Sequence, residues 1–181
     1  DEALGVGGTL IRHINNGDIV NIVIFSIGED SKIDKSPDSR KRINSAKKWS
    51  EFIGSKLYKL FSYPDQMLDT IRKLEIIKKI KDIIVKIRPD IVYTHHEGDI
   101  NHDHQIISHA VLTALRPMNP FKIHAEIRTF ETVSSTDQAP YVDKYIFKPN
   151  YYVDIENVWE KKISSLKFYR DELALAPHPR S

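Results

Sequence analysis

The chain has 181 residues, 40% hydrophobic and 29% charged, a size and balance that suit one soluble globular domain with a sizeable core. It contains no cysteine, which excludes disulfides, thiolate metal sites and a cysteine nucleophile. The formal net charge is only +2, and the lysines lie where helices would face water, so a nucleic-acid-binding surface is not expected.

The first half of the chain alternates predicted helices with short apolar strands. A helix is predicted over residues 1–15, and a β-branched run over 19–25 is typical of a buried parallel strand. Residues 26–39 are polar and predict a loop. The remaining elements of this half are a helix over 40–53, a short strand over 57–61 and a helix over 69–87.

The second half continues the same alternation. It comprises a strand over 91–94, a loop over 95–102, a helix over 103–115, an antiparallel or edge strand over 123–133, a short strand within 145–155 and a helix over 156–173. This order predicts an α/β fold with a mainly parallel sheet. We expect a Rossmann-like three-layer sandwich with helices on both faces of that sheet.

The segment after the third predicted strand carries the densest group of chemically active side chains. Residues 94–104 read Thr-His-His-Glu-Gly-Asp-Ile-Asn-His-Asp-His and hold four of the eight histidines and two aspartates. Parallel sheets bind ligands at the carboxyl ends of their strands. Imidazole and carboxylate are the groups with which a chain without cysteine binds zinc. The segment therefore predicts a metal or catalytic site, although loop histidines can also be simply solvated.

The first ten residues carry a second, weaker signal. Gly5, Gly7 and Gly8 lie in an otherwise helical stretch, where each glycine costs about 0.5–1 kcal/mol relative to alanine. They indicate close packing of this helix against another backbone or against a site.

Together the two segments resemble the PIG-L/LmbE superfamily of N-deacetylases. Its opening signature is a strand, then His-Pro-Asp-Asp-Glu and a Gly-Gly pair, and Asp1-Glu2 and Gly7-Gly8 match the later part. Its second signature is a Gly-Asp-x-Asn/His-x-Asp-His run, here residues 98–104, and Pro-His-Pro-Arg-Ser at 177–181 is similar to the ending motif of bacterial members. The resemblance implies a single domain over 1–181 that lacks its first strand and the start of the metal motif.

The resemblance implies a bound metal ion. In the family, zinc is held by the His and the second Asp of the first signature and by the His that ends the second. Asp1 and His104 match two of these ligands, whereas the first His and the general-base Asp would precede residue 1. Zn²⁺ is the expected ion, with iron, manganese or another divalent metal left open.

The implied reaction is metal-assisted amide hydrolysis, in which the metal activates water and polarises the acetyl carbonyl. Asp103 matches the family carboxylate beside the His ligand and is expected to orient an imidazole. Many members carry His at the position of Asn101, where it assists the oxyanion or the leaving group, but asparagine cannot titrate. The general acid is therefore open, with His96 and His102 as the nearest candidates.

The resemblance also suggests substrate contacts. Arg42, with Arg40 as the alternative, starts the helix after the polar loop, where family members often present an arginine to a sugar or phosphate oxygen. Asp99 is expected to orient its loop or to contact sugar hydroxyls, and His178 and Arg180 to line the cleft entrance. Arg42 and Asp99 also have plainer interpretations, as an exposed arginine and as a turn or helix-approach residue.

The implied activity is hydrolysis of the N-acetyl group of an N-acetylglucosamine-type sugar or sugar conjugate by a cytoplasmic enzyme. No apolar run reaches the roughly 18 residues of a transmembrane helix, so no integral membrane segment is expected. A homo-oligomer is left open. One alternative is a nucleotide- or phosphosugar-binding α/β transferase, although no P-loop and no G-x-G-x-x-G after a strand is present. Another is a non-catalytic domain that keeps the fold and binds a sugar or nucleotide.

Overall fold

The computed structural model describes residues 1–28, 39–118 and 120–181. They divide into two compact units, the first comprising Asp1–Asp65 with Lys148–Ser181 and the second Gln66–Phe147. Most of the loop predicted over 26–39 lies outside the described residues. The single domain over 1–181 stays a prediction.

Helices and strands alternate along most of the described chain. In order they are α1 Glu2–Gly5, α2 Gly7–Asn15, β1 Asn21–Ser26, α3 Ser39–Ile53, β2 Lys56–Tyr63, α4 Lys73–Ile87, β3 Ile91–His95, α5 His102–Ala114, β4 Glu126–Phe130 and α6 Trp159–Ser165. Short 3₁₀ segments cover Leu68–Thr70, Thr136–Gln138, Glu156–Val158 and Leu166–Glu172. No helix within the described ranges has the length and apolar character needed to cross a membrane.

The strands form parallel pairs, β1 with β2 in the first unit and β3 with β4 in the second. This confirms a mixed α/β fold with short parallel strands. The strand over 123–133 was expected to be an antiparallel or an edge strand, and the antiparallel alternative is wrong because β4 is parallel to β3. The chain crosses back through α5 between β3 and β4, and such a crossover makes the second strand parallel to the first.

Two other predicted elements differ from the structure. Residues 145–155 are all described and form no strand, because Pro149 has no N–H to donate and the side chains of Tyr151 and Tyr152 are exposed. The helix predicted over 1–15 is divided at Val6, whose backbone (φ −117°, ψ 5°) separates α1 from α2. The final helix is likewise shorter than predicted, since its second half is a 3₁₀ segment with a kink at Tyr169.

The core of the first unit lies between α2, α3 and α6. Trp49 of α3 is fully buried, and its indole N–H donates to the Ser165 hydroxyl at 3.1 Å. A Cβ added at Gly8 would lie 2.8 Å from Ile155 Cδ1, so α2 packs closely at this position, against an isoleucine side chain rather than against a backbone. By contrast, Trp159 at the start of α6 is half exposed.

The core of the second unit lies between α4 and α5. The apolar positions of α4 recur at helical spacing, and the face buried here carries Ile76, Ile77, Ile80 and Ile84. It packs against α5, which buries Ala110, Val111 and Ala114. This core holds α5 beside β3, so that the loop between them, residues 96–101, is fixed at both ends.

Candidate active site

A buried carboxylate organises the polar cluster at the carboxyl end of β3 and the start of α5. Asp99 is fully buried, and its Oδ2 lies 2.9 Å from His104 Nδ1 and accepts from the Thr136 hydroxyl at 2.8 Å. Its Oδ1 accepts from the Asn101 backbone N–H at 2.8 Å and from the Ser135 hydroxyl. Both carboxylate oxygens therefore accept two hydrogen bonds each, which satisfies a buried charged group.

These hydrogen bonds fix the charge of Asp99 and the tautomer of His104. Burial acts to raise the pKa of Asp99, but the hydrogen bonds from His104 and Ser135 outweigh it and lower the pKa to about 2. An ionised Asp99 can only accept a hydrogen bond, so the proton of His104 lies on Nδ1 and Nε2 is the ring nitrogen that carries the lone pair. Metal-binding histidines are commonly oriented by a carboxylate in this way.

A second imidazole lies directly beside the first. The rings of His95 and His104 are stacked with centroids 3.8 Å apart and planes 4° from parallel, and each offers a ring nitrogen within 4.8 Å of the other's. His95 Nδ1 is buried and finds no hydrogen-bond partner among the described residues. Burial and the neighbouring His104 lower the pKa of His95 well below its usual value, so the ring is neutral at pH 7.

The donor set fits a divalent metal ion. A neutral imidazole is the form that binds metal, and a buried ring nitrogen without a hydrogen bond is expensive unless something else occupies it. The sequence motif includes His95, but we gave it no role. Its position in the sequence could have identified it, because it is the last residue of β3, and ligands of parallel sheets bind at the carboxyl ends of strands.

Asp103 and Asn101 have structural contacts at the start of α5. The Asn101 side-chain oxygen caps the helix by accepting the Asp103 N–H at 2.9 Å. Asp103 Oδ1 accepts the backbone N–H of Leu68 at 3.0 Å, which ties the 3₁₀ segment at 68–70 to α5. The carboxylate that contacts His104 is Asp99, and the role of Asp103 in orienting an imidazole stays a prediction.

The two candidate general acids have different environments. His102 is exposed on the first turn of α5. His96 is half-buried with its ring edge-on to Phe147 at 5.3 Å between centroids, and its buried Nε2 has no hydrogen-bond partner in the part of the chain that is described. The local setting of His96 is thus closer to that of a residue in a site.

In the first unit, the predicted arginines meet around a cavity of about 130 Å³. Arg42 Nη1 lies 2.7 Å from Glu172 Oε1, and Arg180 Nη1 lies 3.5 Å from the other oxygen of the same carboxylate. Arg180 Nη2 is 3.8 Å from Asp1 Oδ1. Asp1, Arg42 and Arg180 therefore line one cavity, and Glu172, which the sequence did not single out, joins the two arginines.

The cavity wall also contains Tyr169, which belongs to no motif that could be recognised in the sequence. The Tyr169 hydroxyl donates to Glu2 Oε1 at 3.1 Å, and burial and the negative charge of Glu2 raise the tyrosine pKa far above its usual value. Arg40 and His178 are exposed and do not line the cavity. His178 Nδ1 accepts the Arg180 backbone N–H at 3.0 Å, so it supports the turn that carries Arg180.

Comparison with known proteins gives one family and several similar proteins. The family described as PIG-L, GlcNAc-PI de-N-acetylase, matches residues 1–115. A diacetylchitobiose deacetylase of Thermococcus kodakarensis is 26% identical over 181 residues, covering 95% of this chain but only 66% of that protein. The chain thus spans slightly less than two thirds of the length of this relative.

Solved structures share the fold. The N,N'-diacetylchitobiose deacetylase of Pyrococcus horikoshii, solved with an inhibitor, has a TM-score of 0.76 and 21% identity, over 96% of this chain and 67% of that one. GalB, the 4-carboxy-2-hydroxymuconate hydratase of Pseudomonas putida KT2440, also has a TM-score of 0.76, with 19% identity over 95% and 75% of the two chains. Because a deacetylase and a hydratase share it, the fold alone does not select the reaction.

Proposed function

This chain belongs to the PIG-L family, and from that premise we propose that it is a metal-dependent hydrolase that removes the acetyl group from an N-acetylglucosamine-type sugar or sugar conjugate. A related diacetylchitobiose deacetylase supports the amide chemistry and the class of substrate. The observation that carries the proposal is the stacked pair of His95 and His104, with the Asp99 carboxylate accepting a hydrogen bond from Nδ1 of His104. We also propose that the fold is a Rossmann-like three-layer sandwich, for which the parallel strand pairs with their intervening helices are the support.

The proposed ion is Zn²⁺, with other divalent metals compatible with the same donors. Asp1 and His104 match the ligand positions of the family motif, and this match supports both as ligands. His95 is an additional imidazole donor beside His104. A bound divalent cation supplies Lewis acidity toward the acetyl carbonyl and toward a water molecule.

The chain's own residues supply orientation and protons. Asp99 keeps His104 in one tautomer. The Asn101 side-chain oxygen is occupied at the helix start, which leaves its NH₂ group to donate to the oxygen that becomes negative in the transition state. Of the candidate general acids, we favour His96 for protonating the leaving amine, because its buried Nε2 has no other role among the described residues.

The sugar is proposed to bind through Arg42 and Arg180. Both guanidinium groups are engaged by Glu172, so their positive charges are already neutralised in part. Guanidinium groups paired in this way offer N–H donors in fixed directions and carry little net positive charge. Such donors suit the hydroxyl oxygens of a neutral sugar.

The proposal is tested by acetate release and metal content. We expect the purified chain loaded with Zn²⁺ to release acetate from N-acetylglucosamine oligosaccharides, and His104→Ala to reduce the rate at least about 100-fold, since removing one metal ligand weakens the site. His109→Ala is the matched control, because His109 is an exposed histidine on the same helix. Acetate release that survives both His104→Ala and complete chelation of metal would contradict the proposal.

A further inference from the structure

A segment after β4 reaches back to Asp99 with two hydroxyl groups. Ser135 and Thr136 are both buried, and they donate to different oxygens of the Asp99 carboxylate, Ser135 to Oδ1 and Thr136 to Oδ2 at 2.8 Å. They lie 36 and 37 residues from Asp99 in the chain. Only the tertiary fold brings these hydroxyls to the carboxylate.

The direction of the Thr136 hydrogen bond is fixed by the backbone. The Thr136 hydroxyl oxygen accepts the backbone N–H of Thr132 at 2.8 Å, so its own proton is directed to Asp99. The Thr132 carbonyl in turn accepts the backbone N–H groups of Ser135, at 3.1 Å, and of Thr136, at 2.9 Å. Ser134, which lies between Thr132 and Ser135, has a left-handed backbone with φ +66°. A serine adopts this conformation only where the surrounding structure imposes it.

The two hydroxyls have separate effects on the carboxylate. Thr136 and His104 Nδ1 both donate to Asp99 Oδ2. Thr136 therefore sets the position of the oxygen that accepts the hydrogen bond from the imidazole. Ser135 shares Oδ1 with the Asn101 N–H and prevents the carboxylate from turning about its Cβ–Cγ bond. Together they determine which oxygen faces the imidazole and at what angle.

We propose that Ser135 and Thr136 are positioning residues for His104, acting through Asp99 to keep the proton on Nδ1 and the lone pair on Nε2. The functional part of this inference, that Nε2 is thereby held ready for a metal ion, rests on the proposed function. Neither hydroxyl is assigned to contact the metal or the substrate.

The variants are Ser135→Ala, Thr136→Val and their combination. Thr132→Val is a matched control, because Thr132 is equally buried in the same segment and its hydroxyl makes no hydrogen bond among the described residues. Thr136→Ser keeps the hydroxyl and is expected to behave like the parent. Thermal unfolding followed by circular dichroism confirms that each variant is folded, and Ser135→Ala carries the comparison if Thr136→Val does not fold.

The first measurement uses the metal-free full chain. Long-range ¹H–¹⁵N correlation spectra, with His104 assigned from a His104→Ala variant, are expected to show the Nδ1–H tautomer in the parent, Thr132→Val and Thr136→Ser proteins. Thr136→Val and the double variant are expected to show a mixture of tautomers or exchange broadening. An unchanged single tautomer in the folded double variant would overturn the inference.

The second measurement is the affinity for Zn²⁺, from competition with a chromophoric chelator, together with the visible spectrum of the Co²⁺ form. We expect about 10–100-fold weaker binding in the double variant and an altered Co²⁺ spectrum, with the Thr132→Val control unchanged. Equal affinity and an identical spectrum in parent and double variant would also overturn the inference. A tautomer change in the variants, combined with a parent chain that binds no Zn²⁺, would support the positioning role and refute the proposed function, so the two failures are distinguishable.

Discussion

At the scale of single residues, Asp99 has the most consequential environment in the second unit. We expected this aspartate to orient its loop or to contact sugar hydroxyls. In the structure its side chain is fully buried, and its carboxylate accepts hydrogen bonds from four donors. A buried carboxylate with that many donors is stable only as the anion. Asp99 thus contributes to folding and to the orientation of His104 through the same hydrogen bonds.

The charge of Asp99 predicts a pH dependence of stability. Its pKa is lowered from 3.8 to about 2 on folding, so the anion stabilises the folded state by about 2 kcal/mol above pH 4. This contribution is lost as the pH falls from about 4 toward 2, because the unfolded chain then binds the proton first. Urea unfolding at a series of pH values should show a flatter curve for Asp99→Asn than for the parent.

Asp82→Asn is the control for that measurement, since Asp82 is an exposed aspartate on α4. Its curve should follow that of the parent. Parallel curves for the parent and Asp99→Asn between pH 4 and pH 2 would show that Asp99 is not held as an anion in the folded state.

At the scale of elements, the short α2 helix depends on two adjacent glycines in different surroundings. A Cβ at Gly8 would lie 2.8 Å from Ile155 Cδ1 and 3.2 Å from Ile155 Cβ, closer than the side chain can accept without moving. A Cβ at Gly7 would lie 3.7 Å from the nearest Trp49 atom, an ordinary contact. The two positions look alike in the sequence, and only their neighbours distinguish them.

Gly8→Ala should therefore lower the free energy of unfolding by about 1–3 kcal/mol through overpacking. Gly7→Ala serves as the paired control and should leave it unchanged or raise it by about 0.5 kcal/mol through helix propensity. Chemical denaturation measures both changes. A Gly8→Ala protein as stable as Gly7→Ala would mean that α2 does not pack against Ile155 as the structure shows.

At the scale of the whole molecule, the first unit is assembled from both ends of the chain. Residues 1–65 and 148–181 share one core, in which Trp49 bonds to Ser165 across 116 positions of sequence. The Arg42–Glu172 ion pair also joins these segments, and its side chains are only 19% and 17% exposed. The neighbouring Lys41–Asp171 pair makes the same connection with side chains 65% and 47% exposed.

This contrast predicts different coupling energies for the two pairs. A double-mutant cycle with Arg42→Gln and Glu172→Gln should give a coupling of about 1–3 kcal/mol, because these groups are partly desolvated and hydrogen-bonded. The matched cycle with Lys41→Gln and Asp171→Asn should give less than about 0.5 kcal/mol, as exposed pairs do. Equal couplings from chemical denaturation would contradict the burial of the Arg42–Glu172 pair.

Features that depend on neighbours along the chain were predictable from the amino-acid sequence. The spacing of the isoleucines predicted α4, the β-branched run predicted β1, and the density of histidines after β3 predicted a site at the end of that strand. The family resemblance was likewise readable from short motifs, and the family match confirms it. These signals are local because backbone periodicity and motif spacing are properties of consecutive residues.

The groups that contact one another across long sequence separations are set by the three-dimensional fold. It placed Asp99 on His104, brought Ser135 and Thr136 to that carboxylate, and joined Arg42 to Glu172. It also gave β4 its parallel direction. Hydrogen bonds and ion pairs act over about 3 Å and without regard to sequence separation, so a pattern along one chain cannot specify the partners that the fold selects.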